Sequence, residues 1–363
     1  MNVAILGAGN IALANAALLA HGGHRVTLWS PSGSATLLLG DNFTLAFSGA
    51  ATGQARVHVA RDVASAVADA AVIVIAVPAY GHAAVMDACA PYLAAGQTVF
   101  VMPMLSLSAL YLAKLLHDRK VEAPIVSFGT TVMTARKLGR AEVKLLSIRS
   151  KIDLAALPVR DTDAALRLAT TLYGERFNAQ SDTLAVAMVN VNPISHVPLA
   201  LANLTRIDKG EAWTQYDNMA GAVARMITAV DRERLAVAAA FGLSVRSIEE
   251  HFHYSFGVPL TDLGTQSLAV HTGIGSPAGP VSLDSRYFTE DVPYGLAFYA
   301  AMGRTVNVAT PCNDGCVALA SAACGRDFAQ ENGIVNALGL DRLDAAALLA
   351  LAREGYSRDV RCP

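Results

Sequence analysis

The sequence predicts an α/β fold in two parts. Residues 1–182 read as an N-terminal Rossmann dinucleotide-binding domain, and 183–363 as a mainly α-helical domain. Three observations carry this. A strand, a glycine turn and a helix follow one another from residue 3. The run Val72-Ile-Val-Ile-Ala-Val77 is continuously apolar and β-branched, as in a strand buried on both faces of a parallel sheet. Beyond about Asp182, helix starts and stops replace strand patterns.

The composition agrees. A chain of 363 residues can bury two cores, and 53% hydrophobic with only 16% charged residues excludes a disordered protein. A formal net charge of −2 with scattered basic residues offers no face for nucleic acid or a membrane surface. Met1-Asn2 runs straight into an apolar strand, without the basic start or cleavage site of a signal peptide. The apolar run Phe100 to Leu116 is interrupted by Pro103 and dotted with serines, which suits a strand followed by a helix better than a membrane span. The five cysteines, Cys89, Cys312, Cys316, Cys324 and Cys362, are odd in number and mostly in apolar settings, so reduced thiols and a cytoplasmic location are expected. Cys312 and Cys316 have no second pair or histidine nearby, and no metal site is expected.

Val3-Ala-Ile-Leu6 is the first strand, followed by Gly7-Ala-Gly-Asn-Ile-Ala12 and an alanine-rich helix to about His21. Gly7 permits the tight turn, Gly9 leaves room for backbone to approach a pyrophosphate, and Ala12 packs helix on strand. Asn10 and Ile11 open the helix, whose first N–H groups and positive dipole end suit phosphate. Arg25-Val-Thr-Leu-Trp29 is the second strand. Ser30 stands where an acid usually meets the adenosine ribose, so a 2′-phosphate meets no repulsion, and NADP is expected ahead of NAD. Arg56 to Ala60 reads as a strand. The run Val72 to Val77 ends at Pro78, on the sheet edge where cofactors bind. His82 has two readings, a contact to the nicotinamide ribose or a histidine lining the following helix. Thr98 to Met102 and Ile125 to Phe128 are strands, with a helix to about His117 between them. From Thr130 to Ala156, Lys144-Leu-Leu-Ser-Ile-Arg149 and its neighbours read as antiparallel strands on the far edge. Pro158 and a helix Asp161 to Tyr173 lead to the boundary near Asp182.

In the second part, Pro193 fits the first turn of a helix capped by Asn192. Trp213 to Phe241 reads as one long amphipathic helix with Gly242 at its C-cap, and Asp231-Arg-Glu-Arg234 as a solvated, self-paired face. Gly273 to Pro280 is a rigid loop expected near a ligand or a domain interface. Thr289-Glu-Asp-Val-Pro starts another helix, with Pro293 in its first turn.

The candidate chemistry lies in this half. Helical spacing puts Asn192, His196 and Asn203 near one face. Arg286 and Asp291 follow, five residues apart. An imidazole, a carboxylate to orient it and a guanidinium for a substrate carboxylate are the parts of a reductase site for a keto acid or its imine. Singly, Asn192 and Asp291 are helix caps and His196 a packed histidine. The set at these spacings is what points to chemistry.

With both halves in view the chain resembles the octopine/nopaline (opine) dehydrogenase family. The resemblance rests on Asn190-Val-Asn192 with His196 and Asn203, on Ala278-Gly-Pro280 leading into Arg286-Tyr-Phe-Thr-Glu-Asp-Val-Pro-Tyr-Gly-Leu296, and on Gly303-Arg-Thr-Val-Asn-Val-Ala-Thr-Pro311. It implies reduction of an imine formed from an amino acid and a 2-oxo acid. His196 would be the acid/base, Asp291 its orienting partner, Arg286 the oxo-acid carboxylate ligand, and Asn192 and Asn203 substrate-positioning residues. The turn Pro103-Met-Leu-Ser-Leu-Ser108 lacks the family's glycines, and His196 is followed by Val197 before Pro198. The runner-up is a ketone reductase of the ketopantoate reductase or glycerol-3-phosphate dehydrogenase kind, whose sites lean on a lysine; this half is poor in lysine, and Lys209 sits beyond Asn203 beside Gly210. A non-catalytic NADPH-binding sensor is the third reading. The expected partners are small molecules, with no nucleic acid and no membrane; a homodimer is left open. The expected architecture places a cleft between the two parts.

Overall fold

The structure is a computed structural model that describes residues 1–36 and 39–356. The chain divides into two compact units, Met1–Ala187 with Ala350–Pro363, and Met188–Leu349. This differs from a division at 182/183 at both ends. Asp182 is buried and accepts the Ala185 N–H at 2.8 Å, and the Thr183 hydroxyl donates to the Ala352 carbonyl at 2.8 Å. The start of helix Thr183–Met188 and the end of helix Ala345–Glu354 therefore belong to the first unit. No local pattern in the sequence announces that return. Cys362 lies outside the described residues.

In the first unit the described residues form one sheet of eleven strands. They are β1 (Asn2–Leu6), β2 (Arg25–Trp29), β3 (Asn42–Gly49), β4 (Gly53–Val59), β5 (Val72–Ile75), β6 (Thr98–Val101), β7 (Ile125–Phe128), β8 (Met133–Gly139), β9 (Glu142–Ile148), β10 (Ile152–Leu157) and β11 (Phe177–Ala179). Their order is β11-β10-β7-β6-β5-β1-β2-β4-β3-β9-β8. The run β4-β2-β1-β5-β6-β7 is parallel throughout, the doubly wound arrangement whose ligand edge is at the carboxyl ends of the strands. Every residue of β5 is buried, as its β-branched composition requires.

The strand expected at Arg56–Ala60 is β4. Its antiparallel partner β3 was not foreseen, although Phe43, Leu45 and Phe47 alternate inward. The hairpin β8–β9 forms the far edge as expected, with β9 running parallel to β3. After β6 the glycine-free turn is left-handed at Ser106 (φ 51°) and Leu107 (φ 57°). Both are buried, so packing holds a conformation that glycine would adopt without strain.

The second unit is helical. Two sequence expectations fail in its long helix. The long helix is Ala222–Ala240, not Trp213–Phe241. Trp213 instead anchors an irregular segment: its indole N–H donates to the Pro280 carbonyl at 2.8 Å, and the Gly279 N–H donates to the Trp213 carbonyl at 2.8 Å. Gly279 is obligatory there, because a Cβ would lie 2.2 Å from the indole ring. Gly242, at φ 74°, follows the helix end in the left-handed region. Asp231 and Arg234 are paired as expected but are not solvated: each is 1% exposed. Their ion pair closes at 2.6 Å. The guanidinium also donates to the carbonyls of Met188 and of Arg246, the latter at 2.7 Å, and Asp231 accepts the Ile248 N–H at 2.7 Å. The i,i+3 spacing cannot distinguish this buried pair from a surface one. Glu233, between them, accepts the N–H groups of Cys312 and Asn313 at 2.8 Å each, completing the start of helix Pro311–Cys324.

Breaking that buried pair should be costly. Asp231→Ala leaves an uncompensated guanidinium inside the second unit, an expected loss of roughly 3–5 kcal/mol. Replacing both members with apolar residues should recover part of it. Calorimetric melts of the two variants beside the parent check this, and an unchanged single-variant melt would remove the pair from the structural core.

Candidate active site

The dinucleotide signature is built as the glycines demand. Gly7 has φ 134°, and a Cβ there would lie 2.6 Å from the Ala76 carbonyl oxygen, so the turn after β1 admits only glycine. Gly9 differs. Its backbone is extended (φ −82°, ψ −172°), and a Cβ would meet nothing within 4 Å. Nothing in the protein requires glycine at this position, whereas a ligand lying against the backbone would. Gly9 is the N-cap of helix Asn10–His21 without a side-chain cap, which leaves the helix start as an anion cradle. Asn10 is exposed and accepts the Lys137 backbone N–H at 3.0 Å, tying β8 beside the turn; Ile11 is half-buried. Ala12 is fully buried against the sheet.

Ser30 ends β2 and is only 7% exposed; the exposed hydroxyls of this loop are Ser32 and Ser34, in contact at 2.9 Å. No carboxylate replaces the missing acid at that position. The neighbouring strand continues through Ala60, whose N–H donates to the Leu28 carbonyl at 2.9 Å, to Arg61. The Arg61 side chain is 84% exposed and meets Asp41 at 3.4 Å. Pro78 is half-buried beyond β5 and begins the turn Ala79–Gly81.

His82 follows the second of its two readings. It is fully buried, with Nδ1 2.8 Å from the Ser108 hydroxyl and Nε2 3.2 Å from the Val77 carbonyl. A carbonyl only accepts, so Nε2 carries the hydrogen and Nδ1 accepts from Ser108. The ring thus ties the loop after β5 to the start of helix Ser108–Asp118.

In the second unit, His196 lies on helix Asn192–Ala202 and Asp291 just before a π-helical turn, Val292–Leu296. Their side chains meet at 2.8 Å, Nδ1 to Oδ2. Asp291 does not cap the turn; its carboxylate goes to His196. Asn192 is not the cap either. Val191 is the N-cap, and the Asn190 side chain accepts the Asn192 N–H at 3.1 Å; Asn192 is exposed at the start of an otherwise buried first turn. Pro193 packs on Gly295, where a Cβ would lie 2.2 Å from the proline ring. The segment leading in is fixed by Arg234 on the Met188 carbonyl and by the Tyr299 hydroxyl on the Asn190 carbonyl at 2.6 Å.

The other predicted residues are not drawn into that pair. Arg286 pairs through Nε with the buried Glu290, and its own side chain is 56% exposed. Asn203 ends the His196 helix, its amide donating to the Leu199 carbonyl at 2.9 Å. Two residues that sequence reasoning missed are drawn in. The Tyr287 ring stacks on the His196 imidazole at 3.9 Å between centroids, inclined by 7°. Burial, and then the Asp291 charge, push the Tyr287 phenol far up, so it stays un-ionised. Its hydroxyl lies beside the side chain of the buried Gln215. The i,i+4 spacing of Tyr287 and Asp291 was the available signal; nothing local marks Gln215. Chemically, a carboxylate on Nδ1 leaves Nε2 as the nitrogen for proton exchange. Among the described residues no cluster of metal-binding side chains occurs.

Residues 179–324 match the family model described as NAD/NADP octopine/nopaline dehydrogenase, alpha-helical domain, and residues 3–158 match that of ketopantoate reductase PanE/ApbA. An opine dehydrogenase of Arthrobacter sp. (strain 1C) is 33% identical over 353 residues, covering 95% of this chain and 97% of its own length. A solved octopine dehydrogenase in complex with NADH and agmatine shares the fold at TM-score 0.81 and 20% identity, covering 100% of both chains. A yersinopine dehydrogenase structure with NADP+ bound does so at TM-score 0.73 and 16% identity, covering 97% of each.

The two glycines of the turn should separate in their effects. Gly7→Ala should lower the melting temperature, because the added carbon meets a carbonyl. Gly9→Ala should leave the melt unchanged and weaken NADPH and NADH binding, measured by titration calorimetry. Undiminished binding by Gly9→Ala would mean no phosphate lies there.

Proposed function

The chain belongs to the opine dehydrogenase family, and from that premise we propose that it joins an amino acid, or another amine, to a 2-oxo acid and reduces the resulting imine with NADPH or NADH. The observation that carries the reading is the His196–Asp291 pair at 2.8 Å. Gly7, Gly9, Asn10, Ile11 and Pro78 are the residues proposed to hold the dinucleotide. When bound, the reduced nicotinamide supplies hydride. Asp291 fixes the imidazole by its Nδ1–H, and His196 Nε2 exchanges protons as water leaves and as the product amine forms. Arg286 takes the oxo-acid carboxylate: a guanidinium has five N–H donors, so a carboxylate on Nε does not exhaust it. Asn192, which is exposed, and Asn203 are proposed to position substrate.

NADP is favoured by the absence of an acid at Ser30, by the hydroxyls of Ser32 and Ser34, and by Arg61 at the end of the adjacent strand. The residue division 1–182 and 183–363 is proposed as the functional one, dinucleotide binding in the first part and proton handling in the second. Cys89, Cys312, Cys316 and Cys324 are free thiols, which supports a reducing, cytoplasmic setting.

The ketone-reductase reading draws on the match over residues 3–158, but that is the dinucleotide half. Lys209 is the single lysine after residue 182 and is exposed after helix Leu204–Asp208. A non-catalytic sensor has no need of an aligned imidazole and carboxylate.

Oxidation of NADPH should require pyruvate and an amino-acid mixture together, with NADPH used at least as well as NADH. Equal rates with pyruvate alone would mean a ketone reductase, and no oxidation under any condition a sensor. Within that assay, His196→Ala should lower kcat on the order of 10²–10⁴-fold. Asp291→Asn should lower kcat with little change in melting temperature. Arg286→Ala should raise KM for the oxo acid more than for NADPH. A lower melt with both KM values unchanged would reduce Arg286 to a structural partner of Glu290.

A further inference from the structure

We infer that Tyr287 is a positioning residue for His196 through the stack of its ring on the imidazole; the inference rests on His196 being the proton-handling group. One hydrogen bond leaves an imidazole free to rock about the Nδ1–Oδ2 line. A ring lying flat on its face removes that motion.

The stack is unlike ordinary packing in this protein. Every other pair of neighbouring rings found among the described residues is tilted or edge-on, with interplanar angles from 38° to 85°. Aromatic pairs prefer such arrangements or an offset stack. The 7° inclination at 3.9 Å between His196 and Tyr287 puts one ring nearly face to face over the other. That geometry needs a Tyr287 ring set from elsewhere, and Gln215 stands beside its hydroxyl. The Gln215 backbone N–H donates to the Pro277 carbonyl at 3.0 Å and its side-chain amide to the Ala278 carbonyl at 2.9 Å. Trp213, two residues earlier, fills the space left by Gly279. The rigid glycine- and proline-rich loop is therefore the base on which Gln215, Tyr287 and His196 are set in turn.

The phenol stays un-ionised, so Tyr287 brings His196 neither charge nor an exchangeable proton at working pH. What it contributes is orientation. Misplacing a reacting group by about 1 Å can cost about 10²-fold in rate.

The test is a double-mutant cycle with His196. Tyr287→Leu removes the ring, and Tyr287→Phe keeps the ring but removes the hydroxyl beside Gln215. In the parent background Tyr287→Leu should lower kcat roughly 10–100-fold and Tyr287→Phe by a smaller factor, with KM for NADPH unchanged. In the His196→Ala background neither change should lower the residual kcat further, because there is no imidazole left to orient. If either variant lowers the residual rate as much as it lowers the parent rate, Tyr287 is structural and the inference fails while the role of His196 stands. The same follows if both variants turn over like the parent. Should Tyr287→Leu not fold, Tyr287→Phe alone decides by the same comparison. Full turnover by His196→Ala itself would overturn the proposed function, and this inference with it.

Discussion

At Gly295 there is no room for even one side-chain carbon, since a Cβ would lie 2.2 Å from Pro193. That contact sets how closely helix Asn192–Ala202 approaches the segment carrying Asp291. Two contacts between the elements bear on the site: Pro193 on Gly295, and His196 on Asp291. The first contact is steric and apolar, the second polar and chemical. A hydrogen bond of 2.8 Å between side chains on separate elements tolerates little movement of either backbone. The site therefore depends on a glycine and a proline that take no part in the reaction.

Behind this contact, buried polar groups hold the approach to the His196 helix. Arg234 binds the Met188 carbonyl and Tyr299 the Asn190 carbonyl, and both side chains lie in the core. Asp231 balances the arginine and also receives the start of helix Ile248–Phe256. Such a network gains little stability over a well-packed apolar core, but it fixes direction as apolar contacts do not. A helix that must present an imidazole at a set angle has use for that.

Much of the fold was legible because it repeats local rules. The β-branched run of β5, the glycines at 7 and 9, and the hairpin β8–β9 each carry their signal within a few residues. His196, Asp291 and Arg286 were legible as residue types at informative spacings. What stayed hidden depends on partners distant in sequence. Asp231 and Arg234 look like a surface pair until the carbonyls of Met188 and Arg246 are seen to need them. Trp213 to Gly221, with Thr, Asp, Asn and Gly among its residues, is poor in helix formers and bonds instead to the loop around Gly279. Asn192 had the residue type of a cap, but the cap position falls on Val191, and the Asn190 side chain takes the Asn192 N–H. Ser106 and Leu107 give no warning of a left-handed turn, because glycine is the usual marker of one.

The π-helical turn Val292–Leu296 has a consequence for how such a chain can change over generations. A π turn closes its hydrogen bond one residue later than an α turn, so it amounts to one residue inserted into a helix. Tyr287 and Asp291 lie before the insertion; Phe298, Tyr299 and Met302, all buried in the core, lie after it. Deleting one residue between them would restore a regular helix and turn one group by about 100° relative to the other. Either the aspartate would leave the histidine or the aromatic residues would leave the core. Gly295 aside, substitution is more open to this segment than a change of length.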